Sequence, residues 1–262
     1  MLAWLAACAP RPTGIAPVTA GDREARYLAG LLQRERRAVM LQGTATIWPR
    51  AFAPCDSCPL RRLPAFQAGF ALAAPDAFRL RVHSAFGTAL DLGLAGDSLM
   101  AYAPAQRWGV ALDAARDSLG VSHPGALAAR LVGAGWRPPG PAWARGTWSG
   151  ALLVLRWSEG EDSVAVAVDE AGVPAWARVW RGERRGVLVQ YGRWEPGEGV
   201  TWPALLRVRD LGGAFEFTWS LEHMGSGGAG DRSRLAVRIP DDAERLGLEQ
   251  LRGLLERMGS RP

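Results

Sequence analysis

The stretch 78–103, FRLRVHSAFGTALDLGLAGDSLMAYA, indicates the fold of this chain. Leu80 and Val82 alternate with arginine and histidine, and Leu90 and Leu92 alternate with small or acidic residues. A period of two is typical of a β-strand that buries one face only. The stretch therefore predicts consecutive antiparallel strands at 76–84, 88–95 and 98–103, joined by tight turns.

The same alternation recurs along most of the chain. Further runs lie at 42–49, 64–73, 145–157, 164–168, 173–181, 187–191, 201–209 and 215–221. Together they give about eleven strands. We predict a mainly β (α+β) fold, an open and strongly curved antiparallel sheet or half-barrel whose concave face must be covered.

Three segments with a helical period supply that cover. Apolar residues recur at helical spacing in 22–41, in 111–134 and in 241–258. In the second segment Ser122 or His123 is suited to cap the helix and Pro124 to occupy its first turn. A glycine-rich loop at 225–230 leads into a predicted strand at 235–239.

The N-terminal MLAWLAAC has the small-residue run and cysteine of a bacterial lipoprotein cleavage box. We interpret residues 1–8 as a signal remnant in which Cys8 is lipidated, 9–21 as a tether and 22–262 as a single domain. No arginine precedes the apolar run, so a cytosolic protein that truly starts at Met1 is the alternative.

The composition excludes several classes of enzyme. All 31 basic residues are arginine, which excludes a lysine phosphate loop and a lysine Schiff base. Neither a GxSxG elbow nor an HExxH pair is present. We therefore predict no enzymatic activity, no cofactor, no metal site and no nucleic-acid partner, with a hydrolase that uses His83 or His123 as the alternative.

Cys55 and Cys58 form a compact CxxC in a proline-bounded loop. A redox motif needs a helix N-terminus, and a zinc site needs two more ligands than this loop offers. A local disulfide, as expected in an oxidising compartment, is the favoured interpretation, and two free thiols would indicate the cytosol.

The segment from Phe78 to Pro139, with the helix at 22–41 and the strand LQGTATI, resembles the LolA/LolB type of lipoprotein carriers and outer-membrane acceptors. The resemblance implies an open barrel with helices in its mouth and a hydrophobic cavity for lipoprotein acyl chains. It also implies that Phe86, at the hairpin tip in HSAFGT, is the exposed apolar side chain that enters the membrane. The CxxC insertion, the C-terminal helix and the absence of lysine depart from that pattern.

These observations predict a lipid-anchored lipid-binding protein on the periplasmic side of the outer membrane. Its partners would be lipoprotein acyl chains or another envelope lipid, and a periplasmic carrier protein. The predicted lining of the cavity and its lid is Leu80, Val82, Leu90, Leu92, Leu127, Leu131 and Trp219. Because the chain has twelve tryptophans, the interior could instead be filled by its own rings. That alternative is a structural or assembly lipoprotein which docks a partner through its C-terminal helix.

Overall fold

The computed structural model describes residues 20–37, 40–51, 64–114, 116–117, 123–133, 135–136, 145–182, 185–196, 201–213, 215–226, 235–251 and 253. The helices in these ranges are α1 (Ala20–Arg37) and α2 (Pro124–Gly133), and the backbone is helical again at 248–251. The strands are β1 (Met40–Ala51), β2 (Phe66–Ala73), β3 (Ala77–Ser84), β4 (Gly87–Ala95), β5 (Ser98–Ala103), β6 (Trp108–Asp113), β7 (Arg145–Ser149), β8 (Leu152–Glu159), β9 (Asp162–Val168), β10 (Pro174–Arg181), β11 (Arg185–Pro196), β12 (Thr201–Asp210), β13 (Phe215–Ser226) and β14 (Glu244–Leu246). Within the described ranges, no helix has both the length and the apolar character needed to cross a membrane.

All fourteen strands belong to one sheet of order β14-β6-β5-β4-β3-β2-β1-β13-β12-β11-β10-β9-β8-β7. The chain builds one arm outward from β1 to β6, and it then builds a second arm from β7 back to β13, which pairs with β1. Every pairing is antiparallel except that of β14 with β6. The sheet is therefore open and mixed, with β14 and β7 at its edges.

The strand count and one helix differ from the sequence prediction. The described chain has fourteen strands instead of about eleven, partly because 145–157 is a hairpin that turns at Gly150. Residues 111–113 are the end of β6, so the helix predicted over 111–134 is shorter and begins at Pro124. Val110 and Leu112 are buried while Ala111 between them is exposed, as in a β-strand. The sequence does not show this alternation, because the exposed residue is an alanine and not a polar residue.

The C-terminal prediction also needs correction. Residues 241–243 form a turn and not the start of a helix, and the backbone becomes helical only from Leu248. The intervening strand β14 pairs with the outer edge of β6, which supplies hydrogen-bond partners to an edge strand. Residues 235–239, predicted as a strand, have no strand pairing.

The C-terminal segment passes around the edge of the sheet. Leu235 packs on Ala73 and Ala77, and a Cβ at Gly93 would lie 2.8 Å from Val237, so 235–240 crosses the face opposite Leu80 and Leu92. After β14 has paired with β6, the chain reaches the other face. There three leucines of the C-terminal segment, Leu246, Leu248 and Leu251, pack on strands β5 and β6. Their contacts are with Ala101, Val110 and Leu112.

One face of the sheet and both helices form a single apolar cluster. From the strands it contains the alternating residues of β1–β4 and β8–β13, such as Leu80, Val166 and Leu206. From the helices it contains Tyr27 and Leu31 of α1, and it also takes Leu127, Leu131 and Val132 from α2. Hydrophobic burial on this one face is therefore what holds the two arms and the helices together.

Candidate functional site

Helix α2 begins where two hairpins of the sheet turn. His123, with φ 51°, precedes Pro124, and its carbonyl accepts a hydrogen bond from the Leu127 amide at 3.0 Å. Its Nδ1 lies 2.6 Å from Oδ1 of Asp97, in the β4–β5 turn. The Gly125 amide donates to the Gly96 carbonyl at 3.1 Å, so the start of α2 is fixed to that turn.

Polar contacts also hold the second half of α2. Arg130 donates to both carboxylate oxygens of Glu159, at 2.5 and 2.7 Å, and this pair joins the helix to the end of β8. Tyr191 of β11 donates to the Leu131 carbonyl at 3.1 Å and accepts from Nε1 of Trp136 at 2.6 Å. Trp136 itself is fully buried. We call the Arg130–Glu159 pair and the Tyr191 contacts the α2 latch.

A small cleft of about 40 Å³ lies between α2 and strands β8 to β10 and is open to solvent. Its apolar walls come from the helix and the sheet, and charged groups form its rim; the lining residues are His123, Ala126, Leu127, Arg130, Glu159, Asp162, Val164 and Val179. The cleft is therefore amphipathic, with hydrocarbon surface under a polar edge.

A second open cleft, of about 80 Å³, is lined by Glu195, Pro196, Trp202, Pro203, Ala204, Leu221, Glu222, His223 and Met224. Neither cleft is an enclosed chamber. Tyr27, Leu31, Val132 and Trp136 belong to the apolar cluster of the sheet, and all of them are at most 4% exposed.

The β3–β4 hairpin presents its apolar tip to solvent. Phe86 is 102% exposed. The turn is tight, because Ser84 pairs with Gly87, and the Ser84 Oγ accepts from the Phe86 amide at 3.3 Å and donates to the Gly87 carbonyl at 3.1 Å. Gly87 has φ 113°, which favours glycine. The local backbone thus holds the ring away from the sheet.

The structure is similar to solved proteins of one fold. It matches a LolA superfamily protein from Nitrosomonas europaea with TM-score 0.53 and 11% identity, over 80% of this chain and 96% of that one. A putative outer membrane lipoprotein-sorting protein domain from Vibrio parahaemolyticus matches with TM-score 0.53 and 9% identity, over 88% and 98%. The chain has a LolA/LolB-type fold. A DUF1329 family protein from Desulfovibrio piger matches it with TM-score 0.54 and 8% identity, over 82% and 97%. By sequence alone, no family model and no curated protein match.

The predicted lining residues lie together on this LolA/LolB-type fold. Leu80, Val82, Leu92, Leu127, Leu131 and Trp219 belong to the main cluster. Leu90 pairs with Val82 across the strands and packs with Leu92 on the neighbouring cluster of β5 and β6. The indole Nε1 of Trp219 is buried and has no hydrogen-bond acceptor among the described residues. Their roles in binding stay predictions.

The remaining predicted positions are the cysteines and two histidines. Cys8, Cys55 and Cys58 lie outside the described residues. His83 is exposed on β3, and His123 pairs with Asp97. Within the part of the chain that the structure describes, no group of three His, Cys, Asp or Glu side chains could hold a metal ion.

The sequence alone did not predict the contacts of the α2 latch. Arg130 and Glu159 are 29 residues apart, and Trp136 and Tyr191 are 55 apart. No local spacing links such pairs. The only signal in the sequence was a tyrosine at an inward position of β11 and a tryptophan next to a proline-rich connector, because buried Tyr and Trp need a polar partner.

We expect the latch to weaken in acid. The hydrogen bonds from Arg130 hold the pKa of Glu159 below its usual range. A lowered folded-state pKa means that the pair stabilises the protein above the unfolded pKa of about 4.3 and that this contribution is lost as pH falls through the folded value. Glu159→Gln should therefore lower the free energy of unfolding by about 1 kcal/mol at pH 7, since the pair is partly exposed. The difference from wild type should shrink towards pH 3.

Denaturant unfolding at pH 7, 5 and 3 measures this difference. Glu161→Gln is the matched control, because Glu161 lies in the same β8–β9 turn, pairs with Arg181 at 3.1 Å and is 79% exposed. It should unfold like the wild type at each pH. An equal effect of both substitutions would show that the Arg130 pair has no special role.

Proposed function

We propose that this protein is a lipid-anchored, non-enzymatic lipid-binding protein of the bacterial envelope. It accepts acyl chains of lipoproteins, or of another envelope lipid, between the sheet and its helices. It then releases them into the outer membrane from the periplasmic side. Cys8 would carry the anchor, and a soluble periplasmic carrier would supply the cargo.

The observation that carries this proposal is the continuous apolar cluster shared by the sheet and α2. Leu80 and Leu92 on one arm and Trp219 on the other contact the same cluster as Leu127 and Leu131 of the helix. We propose that the helices cover the concave face, as the predicted lid requires. A chain that enters beside Leu127 through the small cleft between α2 and strands β8 to β10 would meet hydrocarbon surface at once.

The free energies allow such an exchange. Exposing an acyl chain to water costs about 0.8 kcal/mol per methylene. Replacing helix side chains on the sheet by acyl methylenes exchanges one apolar contact for another, so its net hydrophobic cost is small. The polar contacts of the α2 latch then set the cost of opening, at about 1 kcal/mol each. A lid of this kind opens without ATP.

Two further features support the proposal. The buried Nε1 of Trp219 can donate to an ester carbonyl of a lipid, which would give this donor the partner it lacks among the described residues. Phe86 is fully exposed on a tight turn, and we propose that it enters the bilayer. The solved structures of the same fold include a putative lipoprotein-sorting domain.

The assembly alternative receives less support from the C-terminal segment. Leu248 and Leu251 pack on Ala101, Val110 and Leu112 of the same chain. These two leucines therefore contribute to the protein's own core, and they are not displayed for a partner. Leu255 and Met258 lie outside the described residues.

Uptake of a brominated fatty acid tests the proposal. Bromine atoms quench tryptophan fluorescence at short range, so dibromostearate that enters the interior should quench the protein in a saturable way. An interior that stays filled should give no saturable quenching, and that result would overturn the proposal.

Two tryptophan variants locate the bound chain. Trp219→Phe removes a ring of the apolar cluster, whereas Trp48→Phe removes a ring that is 43% exposed and lies outside that cluster. We expect the first variant to lose a large part of the quenching and the second to keep it. Equal losses would place the fatty acid elsewhere.

A further inference from the structure

A row of arginines crosses the face of the sheet that points away from the apolar cluster. Arg50 of β1 and Arg209 of β12 both pair with Glu216 of β13. The row continues through the next strands to Arg178 of β10 and Arg156 of β8. Paired residues of antiparallel strands point to the same side, so these side chains share one face.

The spacing within the row is regular. An arginine stands on every second strand, at β1, β12, β10 and β8, which places neighbouring arginines about 10 Å apart along the row. Arg207 lies beside it on β12, two residues from Arg209. We call the five residues Arg50, Arg156, Arg178, Arg207 and Arg209 the arginine belt.

The belt carries an excess of positive charge. One row contains Arg209 and the neighbouring row contains Arg207. Among the described residues paired along these two rows, Glu216 is the one carboxylate, and its side chain is only 6% exposed. It lies 3.2 Å from Arg209 and 3.7 Å from Arg207, whose side chains stay 51% and 53% exposed. The two rows therefore hold five arginines and one carboxylate, which gives this surface a net positive potential.

Tryptophans lie between the arginines. Trp48, 43% exposed, is in the same cross-strand row as Arg207, and Trp176 follows in that row on β10. The guanidinium of Arg178 lies 4.9 Å from the centre of the Trp180 ring. Its Nε is buried and has no acceptor among the described residues.

We propose that the arginine belt binds the anionic headgroups of a phospholipid bilayer. Arginine attracts anionic lipid, and tryptophan favours the boundary between headgroups and hydrocarbon. Trp48 lies towards the same strand ends as the Phe86 hairpin, because Ile47 pairs with Phe66 and β2 pairs with β3. An apolar tip beside a basic surface fits a membrane better than a nucleic acid, which offers no hydrocarbon to Phe86.

This inference rests on the proposed membrane role, but it does not require that the interior binds acyl chains. Vesicle binding tests it separately. The full chain with Cys8→Ser, which cannot be acylated at that position, is mixed with vesicles of phosphatidylcholine alone or with 30% phosphatidylglycerol. We expect binding to the anionic vesicles to be at least tenfold tighter and to fall as salt is raised.

Arg156→Gln with Arg207→Gln removes two belt charges at exposed positions. The affinity for anionic vesicles should fall about fivefold for each arginine removed. Arg81→Gln is the matched control, since Arg81 is 50% exposed, pairs with Asp91 and lies on the other arm of the sheet. It should bind anionic vesicles like the parent chain.

Three outcomes would overturn the belt as a lipid site. They are equal binding to both vesicle types, an equal loss in the Arg81 control, and tighter binding to single-stranded oligo(dT) than to anionic vesicles. Saturable dibromostearate quenching together with any of these outcomes would leave the proposed function intact and remove only the belt. Thermal unfolding of each variant confirms that the sheet has formed.

Discussion

Phe86→Glu should abolish delivery of lipid into a bilayer while acyl-chain uptake and folding stay unchanged. Burying a Phe side chain in hydrocarbon is worth about 1.5–3 kcal/mol, and a carboxylate at the same depth is penalised. The combined change of at least about 3 kcal/mol corresponds to a loss of more than about a hundredfold. Because the ring is 102% exposed, its removal costs the folded protein no packing.

Transfer of a fluorescent lipoprotein from a carrier to vesicles measures this effect. Met100→Glu is the matched control, because Met100 is also an exposed apolar residue, at 39%, but lies within β5 and away from the hairpin tip. It should deliver lipid normally. Undiminished delivery by the Phe86 variant would refute the role of the tip.

Gly172→Ala should destabilise the fold by about 3 kcal/mol, because two costs add. Gly172 has φ +72°, and an L-residue in this region costs about 1–2 kcal/mol. An added Cβ would also collide with the backbone of Gly30 and Leu31 in α1. Since backbone atoms cannot rotate away, α1 must shift, which adds about 1–3 kcal/mol.

Gly160→Ala measures the cost of the positive φ alone. Gly160 has φ +61° in the β8–β9 turn, and an added Cβ there would meet nothing within 4 Å. We expect this variant to lose about 1 kcal/mol. Thermal unfolding should show a midpoint about 2–4 °C lower per kcal/mol. Equal shifts in the two variants would mean that α1 does not press on the β9–β10 turn.

Contacts with two turns of the sheet fix the position of α1. Gly30 and Gly172 allow the helix backbone and the turn backbone to approach closely, and Tyr27 donates to the Ala151 carbonyl at 3.0 Å. Tyr27 also meets Trp148 edge-to-face, with ring centres 5.1 Å apart. The sequence predicts an amphipathic helix here, but residues 20–37 alone do not predict that this helix packs on the β9–β10 turn.

Much of the sheet was predictable because the signal is local. In β3 and β4, the alternation of Leu80 and Val82 with polar residues directly reflects one buried face, and the structure pairs Leu80 with Leu92 as that alternation requires. β6 was missed because Ala111 supplied no polar contrast between Val110 and Leu112. β14 was missed because three residues are too few to show a period, and the need to pair the edge of β6 decides their conformation.

The candidate site divides in the same way. The exposure of Phe86 follows from a bulky ring in a tight turn, which is a property of a few neighbouring residues. The α2 latch depends on Arg130 and Glu159 meeting across a gap of 29 residues. The burial of Trp136 depends on packing beside Tyr191, which is 55 residues away in sequence.

The sequence by itself determined that this chain forms a one-faced β-sheet with amphipathic helices and an exposed apolar hairpin tip. A period of two or of 3.6 residues is set by backbone geometry and is visible in a single segment. Only the tertiary structure decided which arginines share a row, which side chains hold α2, and which helix residues join the apolar cluster of the sheet. Those facts depend on strand register and on packing between segments that are distant in sequence, and a one-residue shift of one strand would move that strand's belt arginines to the apolar face.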